Sequence, residues 1–156
     1  MLRVLFVCTG NTCRSPMAEA LLREKIRQNG LLDKILVLSA GVAAGGEFPA
    51  SAGAVMAMRI KSIDVTKHYS RQLQPEYVEA ADLVLTMTEN HKRAILNYLP
   101  AARNKVYTLA EFAGGSSQVA DPYGGSNAVY QACAEQIEQL IDKAWGKIVD
   151  LAGEKV

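Results

Sequence analysis

The sequence has almost no excess charge and no long apolar run. Its 17 lysines and arginines are nearly balanced by 16 aspartates and glutamates, which leaves a formal net charge of +1. So small a charge gives no overall field that would hold nucleic acid or an anionic membrane. No apolar run approaches the ~18 residues of a membrane span, and none resembles a signal-peptide core. We therefore expect a cytoplasmic protein with neither a nucleic-acid nor a membrane partner.

Cysteine is scarce as well. The chain has three cysteines, an odd and small number that is unlike the framework of a disulfide-rich secreted protein. Cys8 and Cys13 lie far from His68 and His91 in the sequence, and this spacing is poor for a zinc site. A reducing compartment fits this composition. Cys133 falls on the apolar stripe of the last predicted helix, where a small buried thiol is the ordinary interpretation.

What the sequence does contain is the composition of an ordinary folded protein. It has 156 residues, of which 49% are hydrophobic and 21% charged. This length predicts one compact domain over residues 1–156. Short apolar runs alternate with amphipathic stretches, a pattern typical of an α/β fold with a parallel sheet. Four strands are predicted, at residues 2–7, 35–39, 82–87 and 105–109, and a helix is predicted over residues 49–59.

The residues that follow the first predicted strand carry the strongest functional signal. Cys8 follows the strand, and Ser15 is predicted to cap the next helix. In a parallel sheet, a loop and helix N-terminus at this position present backbone N–H groups that bind anions. A cysteine held there should have a pKa well below its free value of about 8.5, so Cys8 is predicted to be a nucleophilic thiolate. Arg14 has the planar fork that bridges two phosphate oxygens.

A second candidate feature is the glycine-rich stretch at residues 113–126, which is long for so small a domain. When a thiolate displaces a phosphate ester or amidate, the leaving atom needs a proton, and Asp121 beside Pro122 can donate it. The same group can later activate water. Tyr123 can form one wall of the cleft and stack on either a phenol or a guanidinium. The alternative interpretation of this Asp-Pro pair is a solvated turn.

Together these motifs resemble those of the low-molecular-weight protein tyrosine phosphatases. The matching residues are Cys8, Arg14-Ser15-Pro16 and, far downstream, Asp121-Pro122-Tyr123. The resemblance covers nearly the whole chain. It implies a single three-layer domain in which a four-stranded parallel sheet is flanked by helices on both faces. It also implies a phosphocysteine intermediate, phosphorylated protein substrates, and no metal or other cofactor.

The same resemblance assigns a role to each motif residue. Cys8 is the nucleophile, Arg14 the phosphate ligand and Asp121 the general acid. Asn11 braces the loop, and Ser39 supports Asn11. Ser15 is the partner of the thiolate. The substrate-binding residues are the rest of the loop and the tyrosine beside the acid, namely Thr9, Gly10, Asn11, Thr12, Cys13, Ser15 and Tyr123.

Thr12 bears on the choice of substrate. Tyrosine-specific members of the family usually have a bulky aliphatic residue at this position, whereas a threonine resembles the bacterial protein arginine phosphatases. A hydroxyl that lines the loop can bond a guanidinium or the attacking water, and an aliphatic side chain cannot. The sequence therefore favours phosphoarginine on proteins as the substrate, with phosphotyrosine as the alternative. The alternative interpretation is that Thr12, like a β-branched isoleucine, only fills space in the loop.

Two other activities use a similar loop. A thiol-dependent arsenate reductase would need a second pair of cysteines downstream, and this chain has only Cys133 there. A phosphocysteine carrier must keep its phosphoryl group and would have little use for Asp121. Cys13 could trap an oxidised Cys8 as a reversible disulfide, which is a further hypothesis from the sequence.

Overall fold

The computed structural model describes residues 1–155 and builds them around a sheet of four parallel strands. The strands lie in the spatial order β2-β1-β3-β4. In chain order they are β1 (Leu2–Cys8), β2 (Ile35–Gly41), β3 (Leu83–Thr86) and β4 (Val106–Thr108). The four strands predicted from the sequence are all present, with ends that differ by one or two residues.

Helices connect the strands and cover both faces of the sheet. They are α1 (Arg14–Gln28), α2 (Ala52–Ile60), α3 (Pro75–Ala80), α4 (Glu89–Tyr98), α5 (Leu109–Phe112) and α6 (Asn127–Gly153), with a 3-10 helix at Pro100–Lys105. The larger core joins one face of the sheet to α1, α2, α5 and α6, and the smaller core joins the other face to α3, α4 and the 3-10 helix. The predicted three-layer α/β fold is therefore confirmed.

The first strand shows why its sequence is apolar at nearly every position. Val4 and Phe6 point into the larger core, while Leu5 and Val7 point into the smaller one. Successive side chains of a strand alternate between the two faces, so a strand covered on both sides needs apolar residues throughout.

The beginnings of two helices differ from the sequence prediction. Ser15 was expected to cap α1, but the helix already begins at Arg14, and the residue in the cap position makes no capping bond through its side chain. Ser15 instead turns its hydroxyl to Cys8. A helix was predicted from residue 49, but α2 begins at Ala52 with Ser51 as its N-cap. In the first case a tertiary contact takes precedence over local capping.

β1 lies between β2 and β3. The chain therefore adds β2 on one side of β1 and β3 on the other, so the strand order reverses at β1. The carboxyl ends of β1 and its neighbours form a crevice at such a position. The loops that follow the strands therefore converge at one edge of the sheet. Within residues 1–155, no helix is both long and apolar enough to cross a membrane.

Candidate active site

The loop after β1 rests directly on the chain that leaves β2. The Val42 and Ala43 N–H groups donate to the carbonyl oxygens of Cys8 and Thr9, each at 2.9 Å. Gly41 permits this approach, because a Cβ at that position would lie 2.4 Å from the Thr9 carbonyl oxygen. The loop backbone is thus held to the sheet before any of its side chains contributes.

Asn11 is the central brace of this loop. Its φ of 58° is in the left-handed region, which asparagine tolerates better than most residues. Its buried amide nitrogen donates to the hydroxyls of Ser15 at 2.8 Å and Ser39 at 2.9 Å. Its amide oxygen accepts from the Arg71 N–H at 3.0 Å, and its backbone carbonyl lies 2.8 Å from His68 Nε2. Two segments distant in sequence, together with Ser15 four residues along the chain, therefore fix one residue.

Cys8 and Ser15 form the contact closest to the proposed chemistry. The Cys8 sulfur lies 2.8 Å from the Ser15 hydroxyl oxygen. Because Ser15 already accepts a hydrogen bond from Asn11, its own hydrogen is free to be donated to the sulfur. The order of donation runs from Asn11 to Ser15 to Cys8, and it favours negative charge on the sulfur.

Burial nevertheless raises the pKa of the Cys8 thiol, and this is the largest effect on it. The Ser15 hydroxyl, the N–H groups of Ser15 and Asn11, and the charge of Arg14 all lower that pKa. Burial prevails, so the thiol pKa lies above its ordinary value and the sequence prediction of a lowered pKa was wrong. The loop motif indicates the backbone N–H groups that lower the pKa. It does not indicate the burial that raises it, because the 2% exposure of Cys8 depends on the whole fold.

Arg14 lies at the start of α1 and is held by two other segments. Its side chain is 5% exposed, and its Nη1 donates to the Val119 carbonyl oxygen at 3.0 Å. Its Nη2 lies 3.4 Å from the Thr9 hydroxyl oxygen and 3.8 Å from Asp121 Oδ2. A guanidinium that is fixed in this way presents its remaining N–H bonds as a rigid fork.

Asp121 and Tyr123 lie in the segment between α5 and α6, on the exposed side of Arg14. The Asp121 side chain is 51% exposed, and its Oδ1 accepts from the Tyr123 N–H at 3.1 Å. Tyr123 is 76% exposed. The buried Val119 ties this segment to the residue that follows β3, because its N–H donates to the Met87 carbonyl oxygen at 3.0 Å. The structure thus brings the predicted acid beside the predicted phosphate ligand.

Comparison with known proteins gives these residues a family. The family model described as "Low molecular weight phosphotyrosine protein phosphatase" matches residues 3–151. The chain belongs to this family. The protein-arginine-phosphatase of Geobacillus stearothermophilus is 44% identical over 147 residues, which cover 94% of this chain and 95% of the relative.

Solved structures of low-molecular-weight phosphatases superpose closely on the chain. The low-molecular-weight protein tyrosine phosphatase of T. tengcongensis is 43% identical, with a TM-score of 0.89 over 94% of this chain and 99% of its own. A cysteine-to-serine mutant of the arginine phosphatase YwlE, described as having a phosphorylated active-site serine, is 40% identical. Its TM-score is 0.86, and 98% of this chain and 95% of that chain are covered.

Residues 8–15 form the phosphatase loop, and three of its predicted substrate-binding residues lie around its rim. Thr9 is exposed, whereas Gly10 and Thr12 are half-buried. The Thr12 hydroxyl is 3.7 Å from the Cys13 sulfur. The buried Cys13 sulfur lies 3.3 Å from both the Ser51 and the Tyr130 hydroxyl oxygens. A disulfide between Cys8 and Cys13 stays a prediction, and both are free thiols in the structure.

Sequence reasoning missed three residues that support the phosphatase loop. Glu19 accepts at 2.7 Å from the Ser39 hydroxyl that braces Asn11. His68 and His91 each contact the loop as well. His91 Nε2 lies 2.9 Å from the Thr9 hydroxyl oxygen. No local motif marks these residues, because the partner of each lies far away in the sequence and only the fold brings the two together.

Proposed function

We propose that this chain is a cysteine-dependent protein phosphatase that hydrolyses phosphoarginine through a phosphocysteine intermediate. The observation that carries the chemistry is the arrangement of Cys8, Arg14 and Asp121 around one buried loop. Hydrogen bonds run from Asn11 through Ser15 to the Cys8 sulfur. The Arg14 guanidinium is fixed at the start of α1, and the half-exposed Asp121 carboxylate lies 3.8 Å from it. These are the three parts that phosphoryl transfer through a covalent enzyme requires.

In the first step, Cys8 would attack phosphorus. Because burial raises the thiol pKa, the thiol proton is best given to a phosphoryl oxygen of the bound dianion, which leaves a thiolate in contact with Ser15. The S–P bond forms and the P–N bond of phosphoarginine breaks. Asp121 donates a proton to the leaving nitrogen, while Arg14 binds the phosphoryl oxygens throughout.

In the second step, water would release the phosphoryl group. The Asp121 carboxylate takes a proton from the water, the new O–P bond forms and the S–P bond breaks. The phosphoryl oxygen that took the thiol proton in the first step returns it to the sulfur as inorganic phosphate leaves. The relative with a phosphorylated serine in place of its active-site cysteine supports a covalent intermediate at this position.

The choice of phosphoarginine rests on Thr12 and on similarity. The Thr12 hydroxyl is 3.7 Å from its nearest hydrogen-bonding group within residues 1–155, the Cys13 sulfur, so it is available to a guanidinium or to water. A relative that covers nearly the whole chain is a protein-arginine-phosphatase. The name of the family and the solved tyrosine phosphatase of T. tengcongensis favour phosphotyrosine as the alternative substrate.

A direct comparison of substrates tests this choice. Peptides of the same sequence that carry phosphoarginine or phosphotyrosine are to be hydrolysed side by side, and kcat/KM measured for each. We expect the phosphoarginine peptide to be preferred. A strong preference for phosphotyrosine would overturn the assignment of the substrate and leave the assignment of the chemistry intact.

We also propose that the chain works in the reducing cytoplasm. All three cysteines are free thiols, and the mechanism needs Cys8 reduced. Fractionation of the source cells with detection of the chain tests this placement, and recovery only from an oxidising compartment would contradict it.

A further inference from the structure

α4 brings a buried histidine against the outer side of the phosphatase loop. His91 is 5% exposed, and its Nε2 lies 2.9 Å from the Thr9 hydroxyl oxygen. Its other ring nitrogen, Nδ1, accepts a hydrogen bond from the Thr88 N–H at 3.2 Å. Neither the sequence motif nor the mechanism above assigns a role to this side chain.

The contacts of His91 fix its tautomer. The Thr88 hydroxyl oxygen also lies 3.1 Å from Nδ1 and could either donate or accept there, but the backbone N–H can only donate. Nδ1 is therefore unprotonated and the ring hydrogen is on Nε2. Nε2 therefore donates to the Thr9 hydroxyl oxygen. Burial and the neighbouring charge of Arg14 lower the pKa of His91 to about 4, which keeps this neutral tautomer at physiological pH.

Thr9 joins this histidine to the phosphate ligand. Its hydroxyl oxygen also lies 3.4 Å from Arg14 Nη2, so it accepts from two donors. A hydroxyl has two acceptor lone pairs and one hydrogen. With both lone pairs engaged, Thr9 can only donate, and it lies at the exposed mouth of the loop.

We propose that His91 is a positioning residue for phosphoryl binding: through Thr9 it holds one edge of the Arg14 guanidinium and commits the Thr9 hydroxyl to donate to a phosphoryl oxygen. The other edge of Arg14 is held by Val119. His91 itself does not touch the substrate. The inference rests on the proposed phosphatase chemistry at this loop, and it holds for either phosphoarginine or phosphotyrosine.

Two substitutions separate the contacts of the ring. In His91→Asn, the amide oxygen takes the place of Nδ1 and keeps the bond to the Thr88 N–H, but nothing replaces Nε2. In His91→Gln, the amide nitrogen reaches the position of Nε2 and restores a donor for Thr9. Thr9→Val removes the shared acceptor at nearly constant volume. Glu111→Ala is a matched control, because it removes the same kind of N3 capping contact from α5.

The measurement is the dissociation constant of inorganic vanadate by titration calorimetry, with kcat and KM measured on an aryl phosphate. We expect His91→Asn to weaken vanadate binding and kcat/KM by about 3- to 10-fold, the value of one hydrogen bond. His91→Gln should recover most of this loss. Glu111→Ala should lower the melting temperature without changing vanadate binding.

The double variant gives the decisive result. In Thr9→Val the acceptor is already gone, so adding His91→Asn should have no further effect on vanadate binding. Additive losses, or no recovery in His91→Gln, would overturn the proposal and leave His91 a structural residue. If wild-type protein binds vanadate but hydrolyses no phosphorylated peptide, the proposed function fails while the vanadate series still decides the role of His91.

Discussion

The loop after β1 and the segment before α6 face the same crevice but are built in opposite ways. In the first, Asn11 and Ser15 are completely buried and Arg14 is 4% exposed. In the second, Asp121 and Tyr123 are exposed, and buried Val119 provides the main anchor. The half of the site proposed to bind phosphate is thus fixed by hydrogen bonds within the protein, whereas the half proposed to supply the acid lies at the surface.

This difference separates stability from activity. A substitution in the buried loop removes partners from other buried polar groups, so it should reduce both the free energy of unfolding and the rate. The exposed acid makes no hydrogen bond to a buried group and only a 3.8 Å ion pair with Arg14, so its substitution should reduce the rate with little effect on stability. The predictions below test that contrast, beginning with the largest effect on activity.

Cys8→Ser removes the proposed nucleophile from the buried loop. A serine hydroxyl is a much weaker nucleophile than a thiol, so we expect kcat to fall by about 10⁴-fold or more. Steady-state hydrolysis of the phosphoarginine peptide measures this. Circular dichroism provides the control, since the fold should be unchanged. Full activity in the serine variant would end the assignment of Cys8 as the nucleophile.

Asp121→Asn changes the exposed half of the site. We expect kcat to fall by about 10²- to 10⁴-fold, the usual contribution of a general acid and base, with an unchanged melting temperature. Loss of the base should slow the second step, so phosphorylated enzyme should accumulate and be detected by mass spectrometry after rapid denaturation. A large fall in melting temperature would contradict the contrast between the two regions. Unchanged turnover would favour the solvated turn that the sequence alone allowed.

Ser15→Ala changes the buried half without removing the nucleophile. The Ser15 hydroxyl is the largest of the influences that lower the Cys8 pKa, so its loss leaves burial less opposed and raises that pKa further. At a given pH below the pKa the thiolate fraction falls, and the pH profile of alkylation by iodoacetamide should move to higher pH. We expect kcat/KM to fall about 10-fold, as for one hydrogen bond to a charged group.

The same variant tests the link between burial and stability. Asn11 loses one of two hydroxyl acceptors, which should cost about 1 to 3 kcal/mol of unfolding free energy in urea.

Ser51→Ala is the matched control for the alkylation measurement, because Ser51 contacts the sulfur of Cys13 instead of Cys8. It should leave the alkylation profile of Cys8 in place. A profile that moves equally in both variants would show that Ser15 does not act on Cys8 specifically.

The two regions also show how far sequence reasoning reaches. The four strands, and the place of Cys8 and Arg14 after the first of them, follow from local patterns and from the crevice at the carboxyl ends of parallel strands. The prediction for Asp121 rested on the proton that a leaving group needs and on the family resemblance, and its position beside Arg14 is a finding of the structure. The pKa of Cys8 did not follow, because burial depends on all the elements packed around it. Nor did Glu19 and His91, since their partners lie on other elements and nothing in their own sequence neighbourhood indicates the contact.

Thr12 lies between the two regions, in the rigid loop but at its half-buried rim, and it is expected to affect substrate choice more than rate. Thr12→Val removes the hydroxyl at nearly constant volume, and Thr12→Ile also adds bulk. If the hydroxyl bonds the guanidinium, both variants should lower the ratio of kcat/KM for phosphoarginine over phosphotyrosine by about 3- to 10-fold. Thr12→Ser should keep most of that ratio. A ratio that changes in Thr12→Ile alone would mean that volume, and not hydrogen bonding, selects the substrate.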